Sequence, residues 1–188
     1  MKNLLDIFMK LFLHSWIGDI QFFKAFPPII IGNVRYKLKG HDQRKILKIL
    51  KEGDILLRKY DSYLTGLLVP GNYSHVGLYV GNDTIIHSVT KYGVSEEDIL
   101  TYLRADHIEI LRVEKYDLDE IIKVINTAKS QLGVDYDYTF EGHDDSRFYC
   151  SELIRYCYKD YPNVNIPTDE KLSPDGLLKG KFISIFRI

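Results

Sequence analysis

The stretch that decides the fold is Ser74–Gly81, which reads SHVGLYVG. It is rich in β-branched and aromatic residues and ends at Gly81, where turn-forming Asn and Asp follow. A second apolar run, Thr84–Val89, begins at once, so the pattern predicts a β-hairpin. In the register of such a hairpin His75 and His87 lie near one another and could face the same side of the sheet.

Further periodic segments lie on both sides of the hairpin. The predicted strands are Ile29–Ile31, Asp54–Arg58, His107–Val113 and Phe182–Ile188. The predicted helices are Gln43–Glu52 ending at Gly53, Glu96–Leu103 behind a Ser95 capping box, an Asp117-capped helix through Leu132 to Gly133, and Cys150–Lys159. The prediction is an α+β fold, in which a small and mostly antiparallel sheet packs against helices on one side.

Length and charge restrict the classes of function. The chain has 188 residues, which suits one domain, or one domain with an appendage, and is long enough to bury a core. Its formal net charge is -1, so no bulk attraction to nucleic acid is expected and no nucleic-acid partner is predicted. The 14 Tyr and 9 Phe predict an aromatic-rich core, and some of these rings could line a cleft.

The N-terminal segment is apolar without the features of a signal peptide. Two charged residues interrupt the stretch Leu4–Leu13, no small-residue cleavage site follows, and the stretch is too short to span a bilayer. Its apolar residues fall at helical spacing, which predicts an amphipathic helix that packs on its own domain or on a partner. Contact with a membrane surface is the alternative, so the expected location is cytoplasmic or peripheral to a membrane.

Two consecutive prolines predict where this segment ends. Pro27 and Pro28 close an aromatic and irregular stretch. The prediction divides the chain into an appendage, residues 1–28, and a domain, residues 29–188.

The two cysteines, Cys150 and Cys157, fall on one predicted helix. Their separation along the helix axis is about 10 Å, which is beyond the reach of a disulfide. No Cys/His spacing typical of a zinc site is present, so neither a disulfide scaffold nor a metal is predicted. Cys157 lies in an apolar context and is interpreted as a core residue. This cysteine usage suits a reducing compartment, although a secreted protein without disulfides would look the same.

Cys150 is the candidate nucleophile. It opens its predicted helix, where the helix dipole and free backbone N–H groups favour a thiolate and could hold a developing oxyanion. One imidazole of the hairpin, His75 or His87, could act as base to Cys150 while the other orients it. A cysteine at a helix start is more often a packing residue, but its polar neighbours Ser151 and Glu152 favour a functional position. The other four histidines lack such a context and are interpreted as structural or solvated.

Several runs of the chain resemble the NlpC-type papain-fold peptidases. Phe148–Leu153, which reads FYCSEL, and the preceding Ala128–Tyr138 are similar to the nucleophile region of that family. Gly53–Leu57, the stretch from His75 to Gly81 and Ile85–His87 are similar to its strands that carry the base and the third residue. Here the cysteine follows both histidines, which is the order of the circularly permuted branch, the YiiX/YaeF-like proteins and the lecithin:retinol acyltransferase relatives.

The resemblance covers roughly Gly53 to Tyr158 and implies a circularly permuted papain-like fold, with a small antiparallel sheet or barrel packed against helices. It also implies functions for individual residues. The resemblance implies Cys150 as the nucleophile, His75 as the base and His87 as the third member of the site. On the substrate side it implies Tyr136, with Tyr138 as the alternative, and the neighbouring residues Ser151 and Glu152. Several YiiX-like proteins have a carboxylate at the position of His87. The histidine here is more similar to that of the acyltransferase relatives and of ordinary NlpC-type enzymes.

The predicted function is that of a cysteine hydrolase that needs no metal or organic cofactor. The expected substrate is a peptide-type amide, for example a cell-wall peptide, and a lipid amide or ester is the second choice. Two alternatives stay open from the sequence. One is a thiol-dependent acyltransferase, and the other is a non-catalytic module that binds a small ligand on the same fold.

Overall fold

The computed structural model describes residues 21–22, 29–30, 36–61, 71–140, 146–168 and 171–188. The predicted N-terminal amphipathic helix lies outside the described residues. The backbone pair formed by Gln21–Phe22 and Ile29–Ile30 lies on either side of the predicted boundary at Pro28. The division into an appendage and a domain stays a prediction.

The strands and helices are named in chain order. They are β1 (Gln21–Phe22), β2 (Ile29–Ile30), α1 (Gly40–Ile49), β3 (Ile55–Lys59), β4 (His75–Tyr79), β5 (Thr84–Val89), β6 (Gly93–Asp98), α2 (Ile99–Tyr102), β7 (His107–Val113), α3 (Leu118–Ser130), β8 (Asp135–Tyr136), β9 (Arg147–Phe148), α4 (Cys150–Tyr158) and β10 (Phe182–Arg187), with a 3-10 helix at Pro174–Lys179. No helix among the described residues is both long and apolar enough to cross a membrane.

A six-stranded sheet forms the centre of the fold, in the order β10-β7-β3-β4-β5-β6, and all neighbouring strands are antiparallel. Side chains of β3 alternate between two buried clusters, as the period of a strand requires. Ile55 and Leu57 pack with α3 and α4, while Leu56 packs with Ile46 of α1 and Tyr102 of α2. The predicted α+β class is confirmed, and helices cover both faces of the sheet rather than one.

The hairpin of β4 and β5 is confirmed, and its turn explains the local sequence. Asn82 and Asp83 both have positive φ, 48 and 54, and the N–H of Thr84 donates to the carbonyl of Gly81 at 3.0 Å. Positive φ at both central residues is the type I′ geometry, whose twist matches that of the flanking strands.

The predicted helix Glu96–Leu103 is largely wrong. Residues Gly93–Asp98 form strand β6, and only Ile99–Tyr102 is helical, with the Asp98 carboxylate accepting from the first free N–H groups. Pairing along the whole of β5 stabilises the strand here, which a capping pattern does not reveal. The consequence for the site is that Glu97 becomes a strand residue.

Helices α3 and α4 agree with the prediction. Asp117 caps α3 by accepting from the N–H of Asp119 at 3.0 Å, and Gly133 follows the helix with a φ of 87. Helix α4 begins at Cys150, and both cysteines are free and buried. The helix start that the nucleophile requires is therefore present.

Candidate active site

The site lies where β4 and β5 separate. Within the described strands, their pairing covers only Leu78↔Ile86 and Tyr79↔Ile85, next to the turn. Toward His75 the two strands are no longer partners, and the backbone of Val76 instead lies close enough to the sulfur of Cys150 to lower the pKa of the thiol. The gap in the ladder thus brings the start of α4 against the residue that follows His75.

Side-chain hydrogen bonds hold the segment before Cys150 in this gap. The buried hydroxyl of Ser88 on β5 donates to the carbonyl of Phe148 at 2.5 Å. The N–H of Tyr149 donates to Glu152 at 3.3 Å, and the hydroxyl of Ser151 donates to the carbonyl of Leu172 at 2.6 Å. Ser151 and Glu152 were predicted on the substrate side, and these contacts give both a structural part in fixing α4.

The two predicted histidines form a pair. His75 Nε2 lies 3.0 Å from His87 Nδ1, and the imidazole planes are inclined at 71° with centroids 5.1 Å apart. One nitrogen must donate and the other accept. If His75 Nε2 carries the proton and His87 Nδ1 the lone pair, His75 Nδ1 is left free to accept a proton.

Burial and a neighbouring cation keep both imidazoles uncharged. Burial, followed by the charge of Arg58 and by His87, holds the pKa of His75 well below its usual value of 6.5. Burial and the charge of Arg58 lower the pKa of His87 to about 3. Both rings are therefore neutral at neutral pH, so each keeps a lone pair on one ring nitrogen.

The thiol does not have the low pKa that its helix position suggests. Burial raises the pKa of Cys150, and hydrogen bonds from the backbone of Val76 and Ser151 act in the opposite direction without cancelling it. Burial of Cys150, which is 8% exposed, therefore opposes the thiolate that the start of the helix favours.

Of the two candidate tyrosines, Tyr136 is the one coupled to the nucleophile. Burial raises its pKa well above 10, and the charge of Cys150 is the next cause. Tyr138 packs edge-on against Tyr136 with ring centroids 5.1 Å apart, and its hydroxyl donates to the carbonyl of Thr90. Tyr136 also contacts Phe140, which gives the site an aromatic side.

Three further side chains surround the histidine pair and were missed from the sequence. Arg58 on β3 pairs with His75 across the sheet, Glu97 of β6 approaches His87, and the ring of Tyr102 lies about equally far from both imidazoles. The sequence feature that could have pointed to Arg58 is its position in an otherwise apolar strand. Glu97 could not be found, because its segment was assigned to a helix.

The matching family is described as permuted papain-like amidases, YaeF/YiiX, C92 family, and its model covers residues 49–181. Protein OPG091 of Vaccinia virus (strain Western Reserve) is 30% identical over 139 residues, which are 69% of this chain and 77% of that protein. Gamma-DL-glutamyl hydrolase of Bacillus subtilis is 28% identical over 145 residues, which are 71% of this chain and 33% of the hydrolase. The chain thus spans about a third of that relative.

A solved structure has the same fold. The crystal structure of the metalloprotein YiiX from Escherichia coli O157:H7 is matched with a TM-score of 0.61 and 21% identity, over 73% of this chain and 97% of that chain. In the described part of the present chain, no group of three or more His, Cys, Asp and Glu side chains is placed to hold a metal ion.

The family match, the fold and the order of cysteine after histidines agree with one another. They confirm the predicted class of enzyme, a cysteine amidase or peptidase. The chain belongs to the permuted papain-like amidase family of YaeF and YiiX.

Proposed function

We propose that this protein hydrolyses a peptide-type amide through Cys150, with His75 as base and His87 as the group that orients it. The observation that carries the proposal is the gap between β4 and β5. There the sulfur of Cys150 meets the backbone of Val76, while the preceding residue, His75, is hydrogen-bonded to His87 at 3.0 Å. A nucleophile, a base and an orienting group are the parts that acyl chemistry on a cysteine needs.

Acylation begins from neutral groups. His75 Nδ1 takes the proton of the Cys150 thiol as the sulfur attacks the carbonyl carbon of the amide. The bond from His75 Nε2 to His87 Nδ1 strengthens as the imidazolium forms, since a charged donor makes the stronger hydrogen bond. The proton then passes to the amide nitrogen, the C–N bond breaks, and an amine leaves.

The backbone supplies the electrostatic stabilisation. In the first turn of α4 the N–H groups of Cys150 and Ser151 have no acceptor within the helix, and they lie beside the sulfur. They are placed to receive the negative charge that develops on the carbonyl oxygen. In the second half-reaction His75 takes a proton from water, the hydroxide attacks the thioester, and the proton returns to the sulfur.

The proposed substrate class is a peptide or γ-glutamyl amide. The family is described as amidases, and one relative is a gamma-DL-glutamyl hydrolase. The rings beside the nucleophile favour a second candidate, an amide or ester with an apolar acyl group. Phe140 contacts both Tyr136 and Tyr149, with centroid distances of 6.2 and 5.3 Å.

The test is a substrate panel analysed by mass spectrometry. It contains γ-glutamyl amides, α-peptide amides, and a lipid amide and ester, each incubated with the purified chain. Cleavage of an amide with a transient acyl adduct on the Cys150 peptide is expected, and Cys150→Ala should abolish both. Cys157→Ala, on the same helix, is the matched control and should keep the activity.

Different outcomes separate the alternatives. Product that forms only when an amine or alcohol acceptor is added would replace the hydrolase by a transferase. Binding of a panel member without any adduct or cleavage, unaffected by Cys150→Ala, would contradict catalysis and favour the binding module.

A further inference from the structure

We propose that Arg58, paired with Glu97, is a positioning residue that keeps the His75–His87 pair uncharged and in the tautomer that leaves His75 Nδ1 free. The inference rests on the proposed function, because it concerns the base of that reaction. It adds two residues that do not touch the reacting atoms and act through the imidazoles.

Arg58 is a buried cation directly beside the pair. It lies across the β3–β4 ladder from His75 and is 8% exposed. One guanidinium nitrogen, Nη1, donates to Glu97 Oε2 at 3.1 Å and to the carbonyl of Tyr102 at 3.3 Å. The buried Nε has no acceptor among the described residues. A buried guanidinium with an unused donor is costly, so a structural reason alone explains it poorly.

Glu97 connects this cation to the orienting histidine. The carboxylate oxygen that accepts from Arg58, Oε2, also lies 3.7 Å from His87 Nδ1. Glu97 sits one diagonal step from His87 across the β5–β6 ladder, where Ser95 is the direct partner of His87. The same oxygen atom is therefore within reach of a fixed cation and of an imidazole nitrogen.

The competition for this oxygen determines the tautomer. An unpaired carboxylate would favour a proton on His87 Nδ1, which would make His87 a donor toward His75. His75 Nε2 would then have to accept, and the remaining proton of a neutral His75 would occupy Nδ1, where the base is needed. Arg58 engages the carboxylate, so His87 Nδ1 keeps its lone pair and accepts from His75.

Every element around the pair contributes a charged or titratable group. Those groups are Arg58 from β3, Glu97 from β6, Tyr102 from α2 and Cys150 from α4, with Tyr60 beside Arg58. The Tyr102 hydroxyl donates to the carbonyl of Leu56 at 2.8 Å, and the Arg58 guanidinium lies 4.0 Å from its ring centroid. Burial raises the pKa of Tyr102 well above 10, so this ring supplies no charge near neutral pH.

The test uses nitrogen NMR of imidazole-labelled histidine in the full chain, assigned with single histidine variants. In the wild type, the midpoint of His75 should lie well below 6.5 and that of His87 near pH 3, with the proton of neutral His75 on Nε2. In Arg58→Met the midpoint of His87 should rise by about one pH unit or more. In Glu97→Gln the midpoint of His87 should fall or stay the same. In the double variant the midpoint should lie closer to the wild-type value than in Arg58→Met, because both charges are then removed.

Arg112→Met is the matched control, because Arg112 also forms a partly buried ion pair, at 2.7 Å with Asp54 against 3.1 Å for Arg58 with Glu97, away from the histidines. It should leave both midpoints unchanged. Should Arg58→Met fail to fold, Arg58→Lys keeps the charge and should keep the midpoints, whereas Glu97→Gln still removes the carboxylate. A midpoint of His87 in Arg58→Met that matches the wild type, or midpoints that rise in both Arg58→Met and Glu97→Gln, would overturn the inference.

The readout is independent of turnover. If the midpoints shift as expected but no amide is cleaved, the proposed function fails and the electrostatic arrangement stands. If Cys150 and His75 are required for cleavage but the midpoints do not respond to Arg58 and Glu97, only this inference fails.

Discussion

The hydroxyl of Ser88 donates to the carbonyl of Phe148 at 2.5 Å, and this bond joins the strand of the orienting histidine to the segment before the nucleophile. Ser88 follows His87, and successive side chains of a strand point to opposite faces. Strand β5 therefore carries the orienting histidine and, through its next residue, anchors the segment before Cys150.

Ser88→Ala should destabilise the protein and weaken catalysis together. The variant removes one of two hydrogen bonds to the carbonyl of Phe148, which also accepts from the N–H of Asp137 at 3.1 Å, and the loss of one such bond costs about 0.5–1.5 kcal/mol. Denaturant unfolding should show this loss, and the rate of amide cleavage should fall because Cys150 is less well placed. Ser130→Ala removes an exposed hydroxyl that donates to its own helix, and it should change the free energy of unfolding by less than about 0.5 kcal/mol.

Local sequence patterns were enough to predict those elements of the site that are determined by residues close to one another in the chain. The hairpin, the helix after Asp117 and the helix start at Cys150 each depend on neighbouring residues, and all are present. Joining Cys150 to the hairpin required the family resemblance, because the contact between them spans more than seventy residues of chain.

The parts that could not be predicted depend on burial. Glu97 was assigned to a helix because the sequence near it resembles a capping box. In the folded protein the same segment pairs with β5 as a strand, and this pairing is not visible in the local sequence. The effect of burial on the thiol of Cys150 could not be predicted for a similar reason. A helix start favours the charged form, but the loss of solvent around a residue 8% exposed has the larger effect.

His87→Ala should lower kcat far more than it changes KM. The variant removes the acceptor of the His75 Nε2 proton, so the imidazolium formed in acylation loses its hydrogen bond. A fall of about 10²-fold is expected for the loss of a general-base partner. His87→Asn, whose amide oxygen can still accept, should retain more of the activity.

His107→Ala provides the control for that experiment. His107 bonds to Asp61 at 3.0 Å away from the pair, so steady-state kinetics should be unchanged. Equal losses in the Ala and Asn variants of His87 would contradict a hydrogen-bonding part for this residue.

Alkylation of Cys150 by iodoacetamide should become fast only above the pH range of an ordinary thiol, about 8.5. Its pKa is raised, so the thiolate is scarce at neutral pH and increases as the pH rises. The rate, measured by peptide mass from pH 5 to 10, should show no plateau at low pH. His75→Ala should leave this profile nearly unchanged while abolishing turnover, because His75 is neutral in the resting enzyme.

Cys157 is the internal reference in the same samples. Burial raises its pKa to about 12, so it should react later than Cys150. A low-pH plateau for Cys150 that disappears in His75→Ala would show a preformed thiolate–imidazolium pair and refute the neutral resting state.

Gly77→Ala should disturb the histidine pair by displacing a side chain that packs against it. A Cβ at this position would lie 2.5 Å from Ile85 Cγ2 and 3.1 Å from Tyr102 Cε2, so both neighbours must move. Overpacking of this kind costs about 1–3 kcal/mol. The displaced Tyr102 ring also borders both imidazoles, with centroids 6.0 Å from His75 and 5.8 Å from His87. The melting temperature should fall, and kcat measured well below the new melting temperature should fall as well.

Gly40→Ala separates this effect from the general cost of adding a methyl group. Gly40 begins α1, and its added Cβ would meet only the flexible end of Arg44 at 3.3 Å. Alanine is the better helix former, so stability should be equal or higher and kcat unchanged. If Gly77→Ala lowered the melting temperature yet left kcat at the wild-type value, Tyr102 would not be needed to hold the imidazoles in place, and the packing of this ring would be purely structural.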